Sequence, residues 1–126
     1  MKKTRISTNS IFEKEVAFSR AVVVDKTVYV SGCTGYDYST TTISTDIIEQ
    51  TEQCFKNIQY ALEQAGASLE DVVRVLYIVP NPNEFELCWP TIRKYFEHIL
   101  PACTVICSPL TNTAIKIEIE ITAVVP

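Results

Sequence analysis

Residues 101–125 read PACTVICSPLTNTAIKIEIEITAVV, and the second half of this stretch decides the fold. From Ile115 to Val124, apolar and polar residues alternate strictly, with isoleucines on one parity. A period of two built from β-branched residues predicts a strand with one apolar face. The other face carries Glu118 and Glu120, which the usual rise of a strand places about 6.5 Å apart. We expect whatever lies against that second face to determine what the protein does.

Length and charge limit the class of protein. The 126 residues predict one domain, spanning 1–126, that buries its own hydrophobic core. The formal net charge of −4 disfavours nucleic acid as a partner, because such binding depends on clustered lysines and arginines. The longest apolar run, near Val72 to Val79, contains Arg74 and is too short to cross a bilayer. No membrane partner is therefore expected.

The cysteines and the N-terminus indicate the compartment. Polar residues Ser7 to Ser10 follow the first lysines where a secretory signal would have an apolar stretch. The five cysteines are scattered and contain no C-x-x-C pair, so they predict neither a disulfide framework nor a zinc site. We therefore expect a reducing, cytoplasmic location.

Local patterns predict the order β-β-β-α-β-α-β-β. The predicted elements are a strand at 4–7, a hairpin of strands at 21–24 and 27–31, a helix from 46 to 66, a strand at 72–79, a helix within 84–100, and two final strands, after Pro101 and at 115–124. Asp46, with Glu49 three residues later, is expected to cap the first helix. Pro90 is expected in the first turn of the second helix. Residues 8–15 and 39–45 are interpreted as polar connectors.

This order lacks regular β-α alternation and predicts an α+β fold, with a six-stranded mixed sheet and both helices packed on one face. The chain has no further elements to cover the other face of the sheet. Self-association is the simplest way to cover it, so we expect an oligomer.

Several short segments resemble, in order, those of the YjgF/Rid (reactive intermediate deaminase) family, whose members also carry the label endoribonuclease L-PSP. The segments are AFSRA at 17–21, similar to the family's Pro-Tyr-Ser-Gln-Ala, VYVSG at 28–32, CFKNI at 54–58 followed by AGASLEDVV at 65–73, and LPA at 100–102 with KIEIE at 116–120. The resemblance extends over nearly the whole chain.

The resemblance implies a chorismate-mutase-like fold of the bacillus type and a homotrimer with three ligand clefts between subunits. The best-known branch of the family hydrolyses enamine and imine intermediates derived from amino acids, giving a 2-keto acid and ammonia. The resemblance implies a small metabolite as ligand and no metal or organic cofactor.

Two departures from the family pattern affect the predicted site. The deaminase branch has an arginine after Pro101-Ala102 that holds the substrate carboxylate, a task suited to a planar, charged, bidentate donor. Cys103 stands at that position in this chain, and Phe18 replaces the usual tyrosine of the first segment. Carboxylate recognition by this route is therefore lost. Arg20, close to Phe18, is the cation placed to replace the lost arginine.

The carboxylate that positions the attacking water in the family aligns with Glu118, which we predict to be catalytic. The predicted ligand-binding residues are Phe18, Arg20, Ser31, Gly32, Cys103 and Glu120. Several alternatives stay open. Glu118 and Glu120 also fit a solvated strand face, and the scaffold also suits a non-catalytic metabolite sensor or a partner-binding trimer. Endoribonuclease activity or translation inhibition is disfavoured by the acidic balance of the chain.

Overall fold

The structure is a computed structural model that describes residues 2–126. Its strands are β1 (Lys3–Ile6), β2 (Ala21–Val24), β3 (Thr27–Cys33), β4 (Tyr36–Asp37), β5 (Thr42–Ile43), β6 (Val72–Val79), β7 (Ala102–Cys107) and β8 (Glu118–Val124). Six of them form one sheet in the order β1-β2-β3-β8-β6-β7, while β4 and β5 form a separate two-stranded ribbon. Only the β6–β7 pairing in the six-stranded sheet is parallel. The predicted α+β class and mixed six-stranded sheet are confirmed.

Four helices join these strands. They are α1 (Ile11–Val16), α2 (Ile47–Gln64), α3 (Pro82–Phe85) and α4 (Trp89–Phe96), with 3-10 turns at Leu69–Asp71 and Glu86–Cys88. As predicted, the Asp46 side chain caps α2 by accepting a hydrogen bond from the Glu49 backbone N–H. Pro90 lies in the first turn of α4, where its missing N–H leaves no helical hydrogen bond unmade.

Two segments interpreted as connectors contain regular structure. Residues 8–15 include most of α1, which begins after Ser10, and the Ser10 hydroxyl accepts a hydrogen bond from the Glu13 backbone N–H. Residues 39–45 contain β5, which pairs with β4 just before them. Both elements are too short, and too rich in polar residues, to show the apolar periodicity that identifies longer helices and strands.

The final strand begins at Glu118, three residues later than the predicted start at Ile115. A side chain of α2 holds the intervening backbone. The Gln50 amide donates to the Ala114 carbonyl, and its oxygen accepts from the Lys116 N–H. Ile115 and Ile117 are nevertheless buried, so the alternation of burial extends beyond the hydrogen-bonded strand.

One face of the sheet packs on the core and the other is uncovered. Ile119, Ile121 and Ala123 of β8 are buried in the same cluster as Phe55 and Ile58 of α2. Residues of the opposite parity form what we call the open face, which comprises Tyr29, Leu76, Ile78, Ile106, Glu118 and Glu120. Residues of both α2 and α4 belong to this core, in agreement with the prediction that two helices pack on one face.

Among residues 2–126, no helix combines the length and the apolar character needed to cross a bilayer.

Candidate active site

A cavity of about 510 Å³ opens beside Glu118. Side chains of α1, the backbone at the end of β3 and the loop preceding β8 line it, with Thr111 and Asn112 supplying polar groups from that loop. The Asn112 amide donates to the Tyr36 hydroxyl over 3.2 Å, which ties the loop to the ribbon of β4 and β5. The cavity therefore combines a polar loop with a wall drawn from the N-terminal third of the chain.

Four rings form what we call the aromatic wall: Phe12, Phe18, Tyr36 and Tyr38. The ring centroid of Phe12 lies 5.1 Å from that of Tyr36 and 6.4 Å from that of Tyr38. These are the separations at which tilted and edge-to-face aromatic pairs attract each other. The ring of Phe18 is partly exposed. Contacts of Phe12 with Tyr36 and Tyr38 thus preassemble three of the four rings.

Arg20 is buried at the inner end of this wall, with a relative exposure of 1%. One terminal nitrogen donates a 2.8 Å hydrogen bond to the Gly32 carbonyl, and the guanidinium carbon lies 4.2 Å from the ring centroid of Tyr38. Its Nε has no hydrogen-bond partner within residues 2–126 and lies 3.8 Å from a carboxylate oxygen of Glu13. Arg20 is therefore held by internal contacts on several sides.

Glu13 provides the counter-charge for Arg20. Burial by itself would raise the pKa of this carboxyl, but hydrogen bonds from Thr8, Ser7 and Ser10 outweigh that effect and lower the pKa. Glu13 is therefore ionised near neutral pH and forms a buried ion pair with Arg20. The sequence carried a signal for Glu13 that was overlooked, because Ser10 and Glu13 have the spacing of a capping box.

Glu118 opens β8 on the open face, and its carboxylate reaches the cavity. Burial raises the pKa of this carboxyl; the Arg20 charge opposes the rise, and the nearby Glu120 charge adds to it. Among the hydrogen bonds of residues 2–126, none is donated to the Glu118 carboxylate. A partly buried carboxyl with a raised pKa and free oxygens suits proton transfer to and from a bound molecule.

The structure brings together five of the seven predicted site residues. Phe18, Arg20, Ser31 and Gly32 line the cavity with Glu118. The Ser31 hydroxyl donates to the Ser19 carbonyl over 2.6 Å, so in this conformation it supports the chain next to Arg20. The ligand-binding role of these residues stays a prediction.

The other two predicted residues lie apart from the cavity. Glu120 is on the open face but does not line the cavity. Cys103 pairs with the buried Val75, which places it on the helix-covered face, opposite to Glu118. Cys103 is exposed, but its partial desolvation still raises the pKa of the thiol, which disfavours the thiolate that a nucleophile needs. Within one chain, therefore, Cys103 does not contact a molecule bound beside Glu118.

Several cavity residues, among them Phe12, Val16 and Tyr38, were not predicted from the sequence. Phe12 and Val16 lie on α1, whose helical spacing was missed together with the helix, and Tyr38 follows β4. In the described part of the chain, no group of three or more histidine, cysteine, aspartate or glutamate side chains is placed to hold a metal ion.

Residues 8–125 match the family model described as Endoribonuclease L-PSP. The fold superposes with a TM-score of 0.89 on the crystal structure of a YjgF/YER057c/UK114 family member from Mycobacterium tuberculosis, which is 33% identical and aligns over 98% of this chain and 100% of that one. This chain belongs to the YjgF/Rid family. The family resemblance predicted from the sequence is thereby confirmed.

Relatives within the YjgF/Rid family include proteins named 2-iminobutanoate/2-iminopropanoate deaminase. The one from Rattus norvegicus is 32% identical over 120 residues, covering 94% of this chain and 88% of the relative. The one from Dermatophagoides farinae is 34% identical over 105 residues, covering 82% and 81% of the two chains.

Proposed function

We propose that this YjgF/Rid protein hydrolyses imines, and the enamines that tautomerise to them, in the cavity beside Glu118. The observation that carries the proposal is the Glu118 carboxyl itself, which lies in the cavity with free oxygens and a raised pKa. The names of the relatives, 2-iminobutanoate/2-iminopropanoate deaminase, support the same reaction class.

The reaction needs one group that moves protons twice. The oxygen of a water molecule bonds to the imine carbon while ionised Glu118 takes a proton from that water and passes it to the imine nitrogen. The product is a neutral carbinolamine. Glu118 then takes the hydroxyl proton and delivers it to the amine nitrogen as the C–N bond breaks. One imine and one water thus give one carbonyl compound and one ammonia, and Glu118 returns to its ionised form.

We propose further that the working form is a homotrimer of chorismate-mutase-like fold, with clefts between subunits. The uncovered open face supports association, because it presents partly exposed Leu76 and Ile78 and exposed Ile106. Cys103 lies on the opposite sheet face from Glu118, so a role for position 103 at the cavity would require the Cys103 of a neighbouring subunit. The five free cysteines suit a reducing, cytoplasmic location.

The test is ammonia release from imines that an amino-acid oxidase generates in the assay. Wild-type protein is expected to accelerate release, and Glu118→Gln should lower the rate by about 100-fold or more, the usual contribution of a general acid-base group. Glu15→Gln is the matched control, because Glu15 is an exposed carboxylate on α1. Equal rates for wild type and Glu118→Gln would overturn the proposal.

A second candidate is a non-catalytic metabolite sensor or partner-binding trimer on the same scaffold. The observation that favours it is the ion pair between Arg20 and Glu13, which leaves the cavity without the free arginine that a carboxylate clamp requires. Saturable binding of a small molecule without any ammonia release would support this candidate. RNA cleavage is disfavoured because the net charge of −4 repels phosphates.

A further inference from the structure

We infer that the cavity selects an uncharged imine with an aromatic side chain over the short-chain imino acids for which its relatives are named. This substrate class rests on the proposed hydrolysis and makes it more specific. Three observations carry it: the aromatic wall, the size of the cavity and the charges at its inner end.

The first observation is the aromatic wall. Phe12, Phe18 and Tyr36 all line the cavity, and Phe18 is partly exposed. Val16 also lines the cavity and is 69% exposed. Exposing an apolar side chain to water is unfavourable, so a ligand that covers Val16 gains binding free energy. An aromatic ring placed among them would bury apolar surface and meet ring edges and faces. A short aliphatic side chain would leave most of this apolar surface exposed to water.

The second observation is size. In a single chain, the cavity volume of about 510 Å³ falls within the range of roughly 300–1,000 Å³ that encloses drug-sized ligands. The imino acids named for the relatives have only methyl or ethyl side chains beyond the imine carbon. Such molecules would fill a small part of this cavity, whereas a phenyl group joined to the reactive carbon by a short chain would fill more of it.

The third observation is charge. The cavity is lined by one cation, Arg20, among the residues that the structure describes, and Glu13 already pairs with it at 3.8 Å. When Glu118 is also ionised, these groups sum to one negative charge. A ligand carboxylate would meet that net negative charge in a partly buried site, where like charges repel strongly. A ligand without a carboxylate avoids this cost.

The experiment compares the binding of stable ketones that differ by one group at a time. The set is 2-oxobutanoate, 2-oxo-4-phenylbutanoate, 4-phenylbutan-2-one and butan-2-one, which separates the effect of the ring from that of the carboxylate. Titration calorimetry on the full-length protein is expected to show that each phenyl ketone binds roughly 10- to 100-fold more tightly than its aliphatic counterpart. The uncharged phenyl ketone should bind at least about tenfold more tightly than the charged one.

Variants locate the effect. Phe18→Ala should remove most of the preference for the ring, and Tyr60→Ala is the matched control because Tyr60 is an exposed ring on α2 outside the cavity. Glu13→Gln leaves the charge of Arg20 uncompensated and should shift the preference towards 2-oxo-4-phenylbutanoate. If Glu13→Gln fails to fold, Glu118→Gln removes one negative charge from the same cavity and should shift the preference in the same direction.

The outcomes separate this inference from the proposed reaction. Selective binding of 4-phenylbutan-2-one without ammonia release from any imine would overturn the proposed hydrolysis and leave the ligand class standing. Rapid hydrolysis of 2-iminobutanoate by a protein that binds 2-oxobutanoate as tightly as the phenyl ketones would overturn the inference and leave the hydrolysis standing. Tighter binding of the charged phenyl ketone than of the uncharged one by wild-type protein would also overturn it.

Discussion

The Glu118 carboxylate occupies the space that a side chain at position 32 would fill. A Cβ added to Gly32 would lie 2.1 Å from Oε2 of Glu118 and 2.9 Å from its Cδ. The backbone carbonyl of Gly32 also accepts the hydrogen bond from Arg20. Gly32 therefore gives the carboxylate its place and helps to hold the cation beside it.

Gly32→Ala should displace the Glu118 carboxylate while leaving the fold intact, because the clash falls on the flexible end of a side chain. Misplacing a reacting group by about 1 Å costs up to roughly 100-fold in rate, so we expect a loss of that order in ammonia release. Turnover and urea unfolding, measured on the same preparation, check this prediction. Unchanged turnover would contradict the role given to Glu118.

Gly35→Ala provides the contrasting case. A Cβ added to Gly35 would lie 2.5 Å from the Cβ of Gln50 and 2.7 Å from its Cα. This Cα is part of the backbone of α2, so it cannot move without the helix. We expect this variant to lose about 1–3 kcal/mol of stability, as overpacked sites do. The pair thus distinguishes a glycine that accommodates the Glu118 carboxylate from one required for packing.

The raised pKa of Glu118 predicts how stability changes with pH. The pKa of the Glu118 carboxyl is higher in the folded chain than its ordinary value of 4.5. As the pH rises from 4.5 through the folded-state pKa, the unfolded chain ionises first, and this lowers the stability of the fold. Glu118→Gln removes this penalty. The variant should therefore gain stability relative to wild type at about pH 7 and show little gain at about pH 4. Urea unfolding at both pH values tests the sign, and a larger gain at low pH would contradict it.

Long periodic elements were predictable from the sequence, and the site was predictable only in part. The apolar stripe of α2 after Asp46 and the apolar-polar alternation up to Val124 each extend over many residues. Each residue adds a weak preference for helix or strand, so both elements were identified. Helix α1 spans only six residues and offers one capping signal at Ser10. Which sheet face Cys103 occupies depends on its register with Val75, and no local pattern encodes pairing between distant strands.

The buried ion pair predicts strong coupling between Arg20 and Glu13. Arg20→Met leaves Glu13 buried without its counter-charge, and breaking a buried pair in this way costs about 3 kcal/mol or more. The double variant, with Glu13→Gln added, should lose less than the sum of the single changes. Unfolding free energies of the four proteins give the coupling directly. The pair of exposed Lys94 and partly exposed Glu52 is the control and should show much weaker coupling, whereas equal coupling in both pairs would contradict the argument.

The open face predicts which surface change disrupts the proposed trimer. Ile106 is exposed on β7 and shares the open face with Ile78 and Glu118. Ile106→Lys would place a charge in a face that association should bury, and it is expected to give monomers. Ile48→Lys, at an exposed position of α2 on the other side of the sheet, should leave the assembly unchanged. Light scattering after size exclusion measures the mass, and a trimer that survives Ile106→Lys would place the interface elsewhere.

Cys103→Arg tests whether an arginine at position 103 acts as a carboxylate clamp. If a neighbouring subunit brings position 103 to the cavity, the new guanidinium supplies the planar, bidentate donor that a carboxylate requires. Hydrolysis of 2-iminobutanoate should then rise, and 2-oxobutanoate should bind about tenfold more tightly, as one charge-assisted pair allows. Cys107→Arg is the matched control, because it is exposed on the same strand and has the same parity. An equal gain in both variants would show a general effect of positive charge, whereas a gain for Cys103→Arg alone identifies position 103 as the missing clamp.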